Sequence, residues 1–210
     1  MKQLIIFLLL IFSINKSQSQ IVLDNYVFEN GIVENRTYTC NKFDWKISFP
    51  EGTTITSMNR VNELEEKGYE AVKKEVPNGI QVTKNRPHLI GFSFSKYNYF
   101  LASFENLSGT VKMTFEEHQK FSSKLMEDTY SKIEQLKVTQ SVVYDKIGKH
   151  NFYIIEAKVF DKKTDKLLLT QLLYNAFIEN NLFSVSINYN DHEKGKILID
   201  NFVNSLSKNK

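Results

Sequence analysis

Apolar and polar residues alternate with a period of two through much of this chain, the pattern of strands that bury one face. Phe43, Trp45, Ile47 and Phe49 alternate with Asp44, Lys46 and Ser48 until Pro50-Glu51-Gly52 stops the run. From Leu89 to Leu107 two such runs stand back to back around a turn near Lys96-Tyr97-Asn98. Phe92 and Phe94 mark the first, and Phe100, Ala102 and Phe104 the second. Residues 138–147 read as a strand, and 151–160, 167–178 and 182–189 as a meander behind it. Its tips are Asp161-Lys162-Lys163-Thr164-Asp165-Lys166 and Glu179-Asn180-Asn181. Leu167, Leu168, Leu169, Leu172 and Leu173 leave apolar residues on both faces of the middle strand, so both faces are expected to be covered.

Elsewhere the period changes to that of a helix. Residues 58–74 carry Val61, Leu64, Gly68 and Val72 among many charges, a helical spacing with a thin apolar stripe, and Pro77-Asn78-Gly79 marks a turn after it. A stronger helix begins at Thr114-Phe115-Glu116-Glu117, a capping box in which the Thr and Glu side chains satisfy free backbone donors. Phe115, His118, Phe121, Ser122, Leu125 and Thr129 share one face of it, and Ile133 extends it. Asn190-Asp191-His192-Glu193, with Asn190 as cap, opens a final helix over 191–207 with a stripe of Leu198, Ile199, Phe202, Val203 and Leu206. Phe121 and Phe202 are expected in the core. The fold class is α+β: a mainly antiparallel central sheet with helices packed on both faces, an α/β/α sandwich.

One segment belongs to neither pattern. After Met1-Lys2-Gln3, the run Leu4 to Phe12 is unbroken apolar, Ser13 and Ile14 close it, and Ser17 and Ser19 stand at −3 and −1 from a cut before Gln20. A basic start, a short apolar core and small residues at the cut make a secretory signal peptide. A membrane span needs roughly 20 apolar residues, more than this run supplies. The expected organisation is therefore a signal over 1–19 and a single domain over 20–210, secreted or periplasmic. A lipid anchor needs a cysteine at the cut, and the one cysteine, Cys40, lies downstream. No stable membrane anchor is expected after cleavage.

Composition narrows the partners. Aromatic residues make up 13% of the chain, with sixteen Phe and ten Tyr, which a disordered segment would lack. There are 27 basic and 24 acidic residues, and loss of Lys2 and Lys16 with the signal leaves a net +1. Nucleic-acid binding calls for a clustered basic face. The nearest candidate, Lys162, Lys163 and Lys166, is interrupted by Asp161 and Asp165 and reads as a solvated hairpin tip, so no nucleic acid is expected. A single cysteine cannot close an intramolecular bridge, and stability must come from the core.

Spacing argues against most chemistry. The eight glycines are never closer than eleven residues, so a P-loop, a dinucleotide fingerprint and a nucleophile elbow are all absent. His88, His118, His150 and His192 are at least thirty residues apart, with no pair spaced to hold a metal on one helix face. Asp191-His192-Glu193 is explained by a helix start, whose dipole favours acids. Acidic groups such as Glu63, Glu65, Glu66 and Glu116, Glu117 suit a solvated helix face. No catalytic, cofactor or metal residue is therefore assigned. Two candidates remain. Cys40 could act as a nucleophile beside a histidine brought in by folding, although Thr39, Asn41 and Lys42 offer its thiol little activation. Tyr97, Tyr99 and Phe100, beside the proposed turn, could form a binding surface for protein or glycan.

The order of these elements resembles the PsbP-like and DcrB-like sandwich domains. The resemblance rests on Trp45-Lys46-Ile47-Ser48-Phe49-Pro50-Glu51-Gly52 near the start. It rests equally on Phe183-Ser184-Val185-Ser186-Ile187-Asn188-Tyr189 followed by Ile199-Asp200-Asn201-Phe202-Val203-Asn204-Ser205-Leu206. Those families often carry an aromatic just after the opening Pro-x-Gly, where Thr53 and Thr54 stand here. The resemblance implies a fold and, by analogy, a non-catalytic accessory role with a protein partner; it transfers no site residue. The expected function is an exported binding or accessory domain of the envelope or exterior, and the alternative is a hydrolase built on Cys40 and a histidine.

Overall fold

Alternation and turn chemistry build two antiparallel sheets in the computed structural model, which describes residues 26–28, 30–57, 61–63, 66, 87–106 and 114–207. The smaller sheet holds β1 (Tyr26–Phe28), β2 (Gly31–Glu34), β3 (Thr37–Cys40) and β4 (Lys46–Ser48) in sequence order. The larger holds β5 (Thr54–Ile55), β6 (His88–Ser95), β7 (Asn98–Asn106), β8 (Leu136–Ile147), β9 (His150–Asp161), β10 (Leu167–Ile178) and β11 (Asn181–Tyr189). Its order is β5-β6-β7-β11-β10-β9-β8. Two helices complete the described elements, α1 (Phe115–Ser131) and α2 (His192–Ser207). The class is α+β and mainly antiparallel, as the periodicity requires.

The meander forms because its turns are favourable. Glu179 and Asn180 both take positive φ, at 48° and 65°, in the two-residue loop that returns β10 onto β11. Such paired left-handed residues match the twist of a hairpin. At the β9–β10 tip, Asp161 Oδ1 accepts from the backbone of Lys163 at 3.0 Å and of Thr164 at 2.8 Å, closing the turn that carries the exposed lysines.

Cross-strand pairs fix which residues share a face. Phe92, Phe100, Ile187 and Leu172 stand in one row, and Phe104, Phe183 and Ala176 in another on the same face. Against these rows lies α2. Its Phe202, without exposed surface, has its ring centroid 5.0 Å from Tyr174, 5.9 Å from Phe100, 6.0 Å from Phe152 and 6.3 Å from Phe183. The small sheet closes over the same core. Trp45 stacks on Phe43, its indole N–H donates to Ser205 Oγ at 2.9 Å, and Asn201 Nδ2 donates to Ser48 O at 2.9 Å.

Four expectations change. Phe121 is only half-buried, and no residue of α1 is fully buried. Beyond its first turn, where Phe115 and His118 pack on Tyr153 and Phe177, α1 meets polar groups on the sheet: Gln140, Tyr144 and Gln171 hydrogen-bond its Ser123, Gln119 and Tyr130. A helix seated on polar groups sinks less deeply than one seated on apolar rings. Second, the cap of α2 is Asp191, whose Oδ1 accepts from the N–H of Glu193 at 3.1 Å and of Lys194 at 3.2 Å; Asn190 is occupied elsewhere. Third, the strand expected over Phe43–Phe49 narrows to Lys46–Ser48, with Phe43 in a bend that still stacks on Phe104. Fourth, β1, β2 and β3 precede it. Of the helix expected over 58–74, residues 61–63 and 66 are helical; its remainder, the 77–79 turn and the 1–19 signal lie outside the described residues.

Candidate functional site

The hairpin tip between β6 and β7 is held rigid from below. Asn98, 3% exposed, donates from Nδ2 to Ser95 Oγ at 2.8 Å and to Asn190 Oδ1 at 2.9 Å. Its Oδ1 accepts from the backbone N–H of Asn190 and of Asp191, each at 3.1 Å. One buried amide thus ties the tip to the start of α2. Fixing a loop in advance removes an ordering cost from any later binding step.

Tyr97 and Tyr99 flank Asn98 and are half-buried, with Lys96 Nζ 5.3 Å from the centre of the Tyr97 ring. Burial raises the Tyr97 phenol pKa above its ordinary value. Phe100 belongs elsewhere. It has no exposed surface and stacks on Phe92 at 4.6 Å, because alternation turns it to the core face with Ala102 and Phe104. The expected trio therefore reduces to Tyr97 and Tyr99.

Register adds partners to Tyr99 that no local motif announces. Ser93, Tyr99, Asn188 and Gln171 stand directly opposite one another across β6, β7, β11 and β10. Gln171 Oε1 accepts from the Tyr130 hydroxyl at 2.7 Å, bringing in the last turn of α1. Burial first, and the nearby Tyr99 second, push the Tyr130 phenol well above its ordinary range. Asn188, nearly fully buried, donates to Ser186 Oγ at 3.0 Å. The row is neutral, half-buried and made of hydroxyls and amides. Such groups recognise by hydrogen bonds and ring contact and offer no activated base or nucleophile.

A second polar row crosses the same face two rows away: Ser103, Ser184, Asn175, Tyr153 and Tyr144. Ser184 Oγ donates to Asn175 Oδ1 at 2.6 Å, and Tyr153 hydrogen-bonds His118 of α1, which Ser122 also approaches at 3.3 Å. His118 is thus a boundary residue between helix and sheet. Near it, a shallow depression of about 470 Å³ is lined by Phe115, Glu116, Tyr144, Asp145, Lys146, Asn151 and Phe152. Cys40, Tyr97 and Tyr99 are not among those residues.

Cys40 is buried in the small sheet opposite Gly31. Lys42 N–H donates to its sulfur at 3.4 Å, and burial together with the neighbouring thiol pushes the Tyr38 phenol far above its usual range. A buried thiol in such company packs rather than reacts. Among the described residues, no three His, Cys, Asp or Glu side chains converge as a metal would require, and no helix is long and apolar enough to cross a membrane.

No protein-family model matches the chain, and no curated protein does. The architecture, however, is that of a known fold. The solution structure of cyanobacterial PsbP (CyanoP) from Synechocystis sp. PCC 6803 superposes with a TM-score of 0.50 at 10% identity. The match covers 90% of this chain and 96% of that one. The chain has a PsbP-like fold.

Proposed function

We propose that this chain is an exported, non-catalytic binding or accessory domain that meets a protein partner in the envelope or outside the cell. Within this reading the central sheet is sandwiched, with α2 on the face of Phe100 and Phe183 and α1 on the face of Tyr99 and Tyr153. The observation that carries the proposal is the Asn98-locked tip, which presents Tyr97 and Tyr99 in a fixed geometry beside a neutral amide row. Tyrosines contribute contact area at small entropic cost and are enriched where proteins meet. The PsbP-like fold supports the same reading by analogy, and the Leu4–Ile14 run with Ser17 and Ser19 supports export.

The test is affinity capture of the tagged mature domain from its own envelope fraction, with intact mass measured in parallel. The expected result is a chain beginning at Gln20 that reproducibly retains one partner. Tyr99→Ala should weaken retention, and Cys40→Ser should leave it unchanged. A native mass that includes residues 1–19 would overturn export. A hydrolytic activity lost in Cys40→Ser, with no partner retained, would replace the binding reading with the enzymatic one.

A further inference from the structure

The outer strand of the large sheet is unusually well made for an edge. β8 runs for twelve residues and pairs with β9 at every one of them, without a bulge. It contains no proline and no bulge, two of the usual means of blunting an edge, and its charged residues, Lys137, Asp145 and Lys146, stand only toward its ends. Among the described residues, its far side from Val138 to Tyr144 therefore presents backbone donors and acceptors as a strand template does. At the two ends, Leu136 N–H donates to Ile133 O at 2.9 Å and Lys146 N–H to Asp145 Oδ1 at 2.8 Å, leaving the second oxygen of that carboxylate to face an added strand. The opposite edge, β5, has two residues. Val138 to Tyr144 carries no charge, and Val143 and Tyr144 are 54% and 59% exposed, one on each face of the sheet.

We propose that β8 pairs antiparallel with β8 of a second copy of this chain, about a two-fold axis through Ser141, joining the two large sheets into one. Charge complementarity selects both the occupant and the register. Residues opposite one another must point to the same face, so a two-fold axis normal to the sheet must pass through a residue. With the axis at Ser141, Lys137 faces Asp145 of the other copy twice over, Val138 faces Tyr144, Thr139 faces Val143, and Gln140 faces Val142. Moving it to Gln140 or Val142 sets Lys137 opposite Val143 or Ile147 and loses both ion pairs. Ser141 is small and exposed, so two copies of it fit on the axis. Lys137 already holds Asp165 at 2.7 Å on the exposed edge, within reach of an added strand.

Cysteine cross-linking reads this register directly. Ser141→Cys in the full mature chain, under mild oxidation, should give a disulfide-linked dimer, because position 141 faces itself. Thr139→Cys alone should not, because it faces position 143, whereas mixing Thr139→Cys with Val143→Cys should restore the link. The native Cys40 is buried. In sedimentation, Asp145→Lys should weaken self-association roughly tenfold by opposing like charges, and adding Lys137→Asp should recover it. Equal cross-linking at 139 and 141 would overturn the proposal. So would a native chain that stays monomeric at its highest soluble concentration.

Discussion

Phe202 meets rings from four strands, which makes it the side chain where the large sheet and α2 lock together. Truncation there removes contacts on several sides at once and leaves a cavity that rigid strands cannot collapse into. Phe202→Ala should cost about 3–5 kcal/mol, read from the midpoint of urea unfolding. Phe121→Ala should cost less than half as much, since that ring is half-buried and loses less on deletion. Equal losses at the two positions would contradict the placement of α1. The same contrast explains what single residues reveal in sequence. Phe100 alternates with Leu101 and pairs in period with Ala102 and Phe104, so its inward direction was legible, and grouping it with Tyr97 and Tyr99 by proximity alone misplaced it. Tyr130, Gln171 and Asn188 gave no such signal. Gln171 and Asn188 join the row of Tyr99 through strand register and Tyr130 through the packing of α1, and both depend on partners that local periodicity does not name.

At the level of elements, long periodic segments were legible and short ones were not. The strands of nine to twelve residues and both capped helices carry several repeats of their period. In β2 and β3, four residues hold only two inward positions each, too few for a period to stand out. The remaining cue was the turn: Asn35 and Arg36 both take positive φ, at 47° and 56°, and Arg is an uncommon residue there. Packing between elements makes its own prediction at Gly195, in the first turn of α2. In an open helix, replacing glycine by alanine gains about 1 kcal/mol. Here a Cβ would stand 2.5 Å from Cγ and Cδ2 of Tyr189, near the fixed base of that ring. Gly195→Ala should therefore destabilise, by about 1–3 kcal/mol in the manner of an overpacked core. Circular dichroism melts would show it, and a raised midpoint would mean that Tyr189 moves aside freely.

The whole molecule should lose stability toward acid in two stages, and the sign follows from its shifted groups. Burial, with Lys149 adding to it, lowers the pKa of His150 below its ordinary 6.5, so the folded state resists protonating that ring. A depressed folded pKa contributes stability that is present above the unfolded value and fades as pH falls through the folded one. The first decline therefore begins below about pH 6.5. Asp191 and Asp161 are lowered chiefly by hydrogen bonds from Lys194 and Thr164, and Glu117 by the backbone N–H of Thr114. Each holds a turn or a helix start in its ionised form, and each is lowered from an ordinary value near 4, so their contribution is lost in a second decline below about pH 4. Urea midpoints measured from about pH 8 down to about pH 3 should be flat at first, fall gently, then fall steeply. His150→Asn should abolish the gentle fall and leave the steep one in place, because the carboxylates sit at other turns. A midpoint that rises between about pH 7 and pH 5 would mean that His150 gains, rather than loses, by carrying its charge in the folded chain.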